Sequence, residues 1–182
     1  MAVKTWTSER VYSSDINTYL TNSGLVWVKE QSVTSSVASV TVSSAFSSSY
    51  DGYRIIVEHT ATGSGGLNMA LGTATSNTTG WYGAHPYWAY NATGDGVVRW
   101  VNIGWGEIGF TSTSPGFSVV DIWYPYGTTT KYVTATQTSR INYTGTPTST
   151  FTNTTSFTAF TLWSSVGNLT AAKIYVYGYR KS

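Results

Sequence analysis

The chain has no cysteine, which excludes disulfides and thiolate metal sites, the staples on which many small extracellular domains depend. Charge is scarce as well. Asp, Glu, Lys and Arg make up 10% of the 182 residues, under half of the ~25% usual in soluble domains. The net charge is +2, with basic residues scattered from Lys4 to Lys181. Nothing in that pattern could neutralise several adjacent phosphates, so we expect no nucleic-acid partner. No stretch approaches the ~20 apolar residues of a membrane-spanning helix. The opening Met1 to Thr7 (MAVKTWT) lacks the apolar run of a signal peptide, and we expect a protein folded in a cytosol and not exported by the Sec route. Catalytic signatures such as GxSxG, HExxH and the phosphate loop are missing too.

Hydroxyls supply the polarity that charge does not, since Ser and Thr are abundant throughout. A hydroxyl-rich surface is less strongly solvated than a charged one, which suits a protein packed against neighbours. At 41% hydrophobic residues, the chain can form a domain that buries roughly 70% of its unfolded surface.

One segment has helical spacing. Between Ser13 and Gly24, Ile16, Tyr19 and Leu20 fall on one face, Ser13 or Ser14 is placed to cap the start, Asp15 complements the positive end, and Gly24 supplies a left-handed stop. About two to three turns are too short to be stable alone, so this helix must dock on something.

From Leu25 onward the period is two, in short runs separated by Gly, Ser, Thr, Asn and Pro. In Gly52 to His59 the set Tyr53, Ile55 and Val57 faces one way, and Arg54, Ile56 and Glu58 the other. Leu67, Met69 and Leu71 repeat the pattern. Further strands are expected over 25–31, 37–42, 97–103, 117–124, 131–136, 157–163 and 172–179, about eight or nine in all. Gly63 to Gly66 reads as a hairpin turn. Gln137 to Ser156 is Thr-rich but holds Ile141, Tyr143 and Phe151, as an ordered loop or edge strand would. The expected fold is all-β: an antiparallel, jelly-roll-like β-sandwich over residues 25–182, preceded by an anchoring segment with a short helix over 1–24. Val119, Val120, Ile122, Trp123 and Tyr124 are apolar on both faces, which implies that one sheet surface meets another subunit.

Titratable groups offer little catalysis. A glycosidase would pair two carboxylates, for instance Glu107 after Trp105 and Asp121 before Trp123. Glu58 and His59 are strand neighbours that point to opposite faces and cannot ligate one ion. We expect no catalytic, cofactor or metal site. The densest feature is Gly80 to Tyr90 (GWYGAHPYWAY). Its Trp81, Tyr82, His85, Tyr87 and Trp88 fit either a sugar-stacking surface or a core or subunit contact.

Four stretches, in order, carry a resemblance: Trp6, Glu9 and Val11 followed by Ser14 to Leu20 (SDINTYL); Tyr50 to Ile55 (YDGYRI); Thr79 to Gly83 (TGWYG); and Lys173 to Arg180 (KIYVYGYR). Together they resemble virion surface proteins of tailed bacteriophages, of the capsid-decoration (cement) and head- or tail-fibre kinds. Ser8 stands where such openings commonly have glycine. The resemblance implies a β-rich, trimeric structural component of the virion. Its N-terminal segment, through Trp6, Ile16, Tyr19 and Leu20, would engage other capsid or tail proteins. Host-surface polysaccharide would be a further partner if the protein is a lectin-like adhesion module.

Overall fold

In the computed structural model, which describes residues 24–76, 79–89, 94–139 and 143–180, every regular element is a strand and every pairing is antiparallel. The expected N-terminal helix, and with it Trp6, Ile16, Tyr19 and Leu20, lies outside the described residues. Only its last residue, Gly24, is described, with a φ of +108° that suits glycine.

The strands are β1 (Leu25–Val33), β2 (Val40–Val42), β3 (Tyr50–Ala61), β4 (Gly65–Leu71), β5 (Trp81–Ala89), β6 (Gly96–Ile103) and β7 (Gly106–Thr111). They continue as β8 (Gly116–Trp123), β9 (Lys131–Ser139), β10 (Tyr143–Gly145), β11 (Thr148–Phe151), β12 (Phe160–Ser164) and β13 (Leu169–Arg180). The period-two reading holds closely in β3, where Tyr53, Ile55 and Val57 are buried while Arg54, Ile56 and Glu58 are not. In β8 the same rule sends Val120 and Ile122 inward, and in β13 Ile174 and Val176.

Four antiparallel pairs are nested from the outermost strands to the innermost: β1 with β13, β2 with β12, β3 with β8, and β4 with β7. The pairs β13–β3 and β12–β4 then join them into two sheets, ordered β1-β13-β3-β8 and β2-β12-β4-β7. The first sheet is extended beyond β8 by β9, β10 and β11, β5 and finally β6, giving nine strands against four. Both sheets feed one core, with Tyr53, Ile55, Val120 and Ile122 from the larger and Leu67, Met69, Leu71, Phe160 and Leu162 from the smaller. Phe46, beyond β2, ties them together, packing edge-on to Tyr53 at 4.8 Å and against Phe160 at 5.6 Å.

The segment Gly63 to Gly66 is not a hairpin turn. It carries the chain from β3 in the larger sheet to β4 in the smaller, and Gly65 and Gly66 pair with Thr111 and Phe110 of β7. The Thr-rich stretch after Gln137 holds two short interior strands, β10 and β11, among the described residues. β10 and β11 keep one register against β9, Thr144 opposite Thr138 and Thr148 opposite Thr134, and also one register against β5. Pro147, which has no N–H to donate, falls in the short break between them, yet its carbonyl still accepts from Ala135 N–H at 2.8 Å. Elsewhere hydroxyls pair with one another across strands, Thr41 with Thr161 at 2.9 Å and Thr111 with Ser164 at 2.7 Å. A charge-poor sequence thereby satisfies buried polar groups without ions.

Candidate functional site

Strand parity divides the aromatic segment into two populations. Trp81, His85 and Tyr87 point toward the smaller sheet, and Tyr82 and Trp88 point away from it. Trp81 is fully buried, stacked on Phe151 at 4.9 Å over Gly106, where a Cβ would lie 2.7 Å from the indole. His85 is fully buried and stacked on Phe110 at 4.4 Å. Half-buried Tyr87 packs edge-on to Phe110 and Tyr143. Tyr82 and Trp88 remain exposed at 39% and 48%.

Among the described residues, the inward set includes a polar dyad of the kind seen in catalytic machinery. His85 Nδ1 and Glu107 Oε1 are 2.5 Å apart, and His85 Nε2 is buried without a partner, closed off by Gly145. This dyad joins β5 to β7 inside the protein. Asp121 lies on the opposite, outward side of β8, bound by Arg54. Glu107 and Asp121 therefore do not converge on one substrate, and the carboxylate pair of a glycosidase is not assembled. The spacing Gly104-x-Gly106-x-x-Gly109 matches a dinucleotide fingerprint in letters only, because it runs into β7 of an antiparallel sheet and does not turn from a strand into a helix. Glu58 is exposed and its neighbour His59 buried, as strand alternation requires. Among the described residues, no group of three or more His, Asp or Glu could hold a metal ion.

The outer face of the nine-stranded sheet is where chemistry is accessible. One cross-strand row starts at Leu25 and passes through Tyr179, Gly52 and Trp123. It continues through Tyr132, Thr150 and Tyr82 to Val101. Gly52 is needed there: a Cβ would come 2.6 Å from the Trp123 ring, which lies across it to stack flat on Tyr179 at 5.1 Å and 9°. Trp27 adds edge-on contact with Tyr177 at 5.7 Å. The rings form an aromatic belt interrupted at Gly52 and Thr150, an arrangement enriched at binding surfaces.

Beside the belt sits the only ion pair found on this face among the described residues. Arg54 donates from Nε and Nη2 to the two carboxylate oxygens of Asp121 at 2.9 and 2.7 Å, and the Tyr179 hydroxyl donates to Asp121 Oδ1 at 2.5 Å. Partial burial opposes ionisation of Asp121, but the Arg54 hydrogen bonds, the Tyr179 hydroxyl and the Arg54 charge together outweigh it and hold the carboxyl below its usual range. Burial, then the bond to Asp121, pushes Tyr179 up to about 12. The network fixes the rings and leaves neither charge free for catalysis.

Between Tyr82 and Tyr132 the face is indented by a groove of about 470 Å³, floored by Ala84, Thr134, Thr148 and Thr150. Tyr132, half exposed, did not figure among the aromatic residues singled out in the sequence, because what places it opposite Tyr82 is β11, which pairs with both strands. No protein-family model, curated protein or solved structure matches the chain.

Proposed function

We propose that this chain is a non-enzymatic structural protein on the surface of a tailed-phage virion, a jelly-roll sandwich that assembles as a homotrimer and decorates the capsid or forms a fibre. The fold reading rests on the nested pairs. A jelly roll is a long antiparallel hairpin rolled into two sheets, so that its first strand lies beside its last and its two innermost strands lie side by side. The orders β1-β13-β3-β8 and β2-β12-β4-β7 have this form, with β5–β6 and β9–β11 as insertions that widen one sheet. The virion reading rests on the four resembling stretches. Two of them, Tyr50 to Ile55 and Lys173 to Arg180, are adjacent strands that pair with each other.

The observation that carries assembly is β6. Among the described residues it pairs only with β5, and its successive residues Val97 and Val98 are both exposed, with Val101 exposed at 71%. An edge strand with exposed β-branched residues, anchored to the core only through Trp100 and Ile103, and with an open row of backbone donors and acceptors, is a template for another chain. Burying each valine would contribute on the order of 1–2 kcal/mol. Sedimentation equilibrium of the purified protein should return three times the chain mass, and Val101→Lys should shift it toward monomer. A strict monomer at micromolar concentration would overturn the assembly reading, and absence of the labelled protein from purified particles would overturn the virion reading.

A further inference from the structure

We infer that the groove between Tyr82 and Tyr132 is a binding site for a neutral glycan, with the two tyrosine rings as its walls. The inference rests on reading the outer sheet face as the one turned to the surroundings. Tyr82 and Tyr132 are separated by one intervening strand, which carries Thr150 in the same row. Two strand spacings put the tyrosine backbones about 10 Å apart. A saccharide ring in van der Waals contact with an aromatic ring on each side takes up about 8 Å of that, at about 4 Å per contact. The width therefore suits one sugar unit, its apolar C–H faces against the rings.

The floor supplies the complementary polarity. Thr134, Thr148 and Thr150 present hydroxyls that act as donor or acceptor according to need, and among the described residues no side-chain hydrogen bond occupies them. No lining residue of the groove is charged. The flanking charges in the same cross-strand row are Arg99, beyond Ala84 on β6, and Asp121, beyond Thr134 on β8 and already paired with Arg54. A lining without charge favours an uncharged, hydroxyl-rich ligand over an acidic polymer or a charged peptide. At about 470 Å³ the groove falls within the range of small-ligand sites.

The test is a glycan array probed with the full-length protein, carrying neutral hexose and N-acetylhexosamine oligosaccharides beside heparin and polysialic acid. The wild type should bind neutral glycans. Tyr132→Ala and Tyr82→Ala should each weaken that binding about tenfold or more, the loss expected for one aromatic stacking contact with its buried area. Both rings are exposed, so these variants should melt like the wild type. Trp88→Ala, on the same face but outside the groove, should bind normally. Binding confined to the charged glycans, no binding at all, or equal loss in Trp88→Ala would overturn the proposal. A Tyr132→Ala protein that keeps its glycan but loses its oligomeric mass would overturn it too, marking the groove as a subunit contact. Because mass and glycan binding are read separately, failure of trimer formation leaves the glycan result interpretable.

Discussion

Acid should destabilise this protein in part through His59. It faces inward from β3, almost fully buried, and neither ring nitrogen has a hydrogen-bond partner. Gly116 lies so close beneath the ring that a Cβ there would be 2.5 Å from Cε1. Burial without compensation lowers the imidazole pKa from 6.5 to about 4. Glu58 and Lys173 line the cavity beside His59, but neither bonds to it. The sign follows from proton counting. Between about pH 4 and 6.5 the unfolded chain carries more protons than the folded one, so stability falls as the pH falls through that window, while above about pH 7 both states are neutral and the residue contributes nothing. From pH 7.5 to pH 5 the loss is about 2 kcal/mol. In urea unfolding with a slope of about 2 kcal/mol/M, the midpoint should drop by about 1 M. Carboxylates titrate over the same range, so the comparison is with His59→Leu, measured at the same protein concentration. Leu loses no hydrogen bond that His59 makes and removes the titration, so its midpoint should fall by about 1 M less. If the variant loses as much stability as the wild type, burial of a neutral imidazole is not the cause.

Lys131 should be intolerant of a neutral substitute. It is fully buried, and its Nζ donates to the carbonyls of Gly127, Thr129 and Asn153 at 2.8–2.9 Å. Lys131→Met leaves three acceptors without their donor at a cost of about 2–4 kcal/mol, a fall of roughly 5–10 °C in Tm by calorimetry, and an unchanged Tm would refute the role. Gly145→Ala should uncouple β5 from β7. Its Cβ would overlap His85 Nε2 and lie 2.8 Å from the Pro86 carbonyl, so we expect about 1–3 kcal/mol of destabilisation and a shifted His85 ring resonance by NMR. A wild-type spectrum would show that the ring has room to move.

Strands with one apolar face were legible in the sequence because their periodicity is local. β3, β8 and β13 have this form, and Tyr53, Ile55 and Val57 lie where alternation places them. β7 was hidden by its glycines, which read as punctuation. They are there for packing: a Cβ at Gly109 would meet Ser118 Oγ at 2.5 Å, and Gly106 lies under Trp81. β5 was hidden for the opposite reason, since aromatic residues on both parities, with Pro86 among them, blur the alternation. β10 and β11 are short and rich in threonine, and their strand character comes from neighbours on both sides, which no local pattern announces.

The candidate site was half legible for a related reason. The aromatic density of Gly80 to Tyr90 was visible, and alternation alone separates Tyr82 and Trp88 from Trp81, His85 and Tyr87. The second wall was not, because Tyr132 meets Tyr82 only across β11. That arrangement has a consequence for how the groove arose. β5, β9 and β11 all lie outside the four nested pairs that define the two-sheet body. They bring Val133, Ala135, Trp81 and Phe151 into the same core as Tyr53, Val120 and Phe160 and so have a packed base. A surface of paired rings and free hydroxyls, carried by inserted strands and held from beneath, can change its side chains without disturbing the body, and that is the condition under which such a body can acquire a binding face.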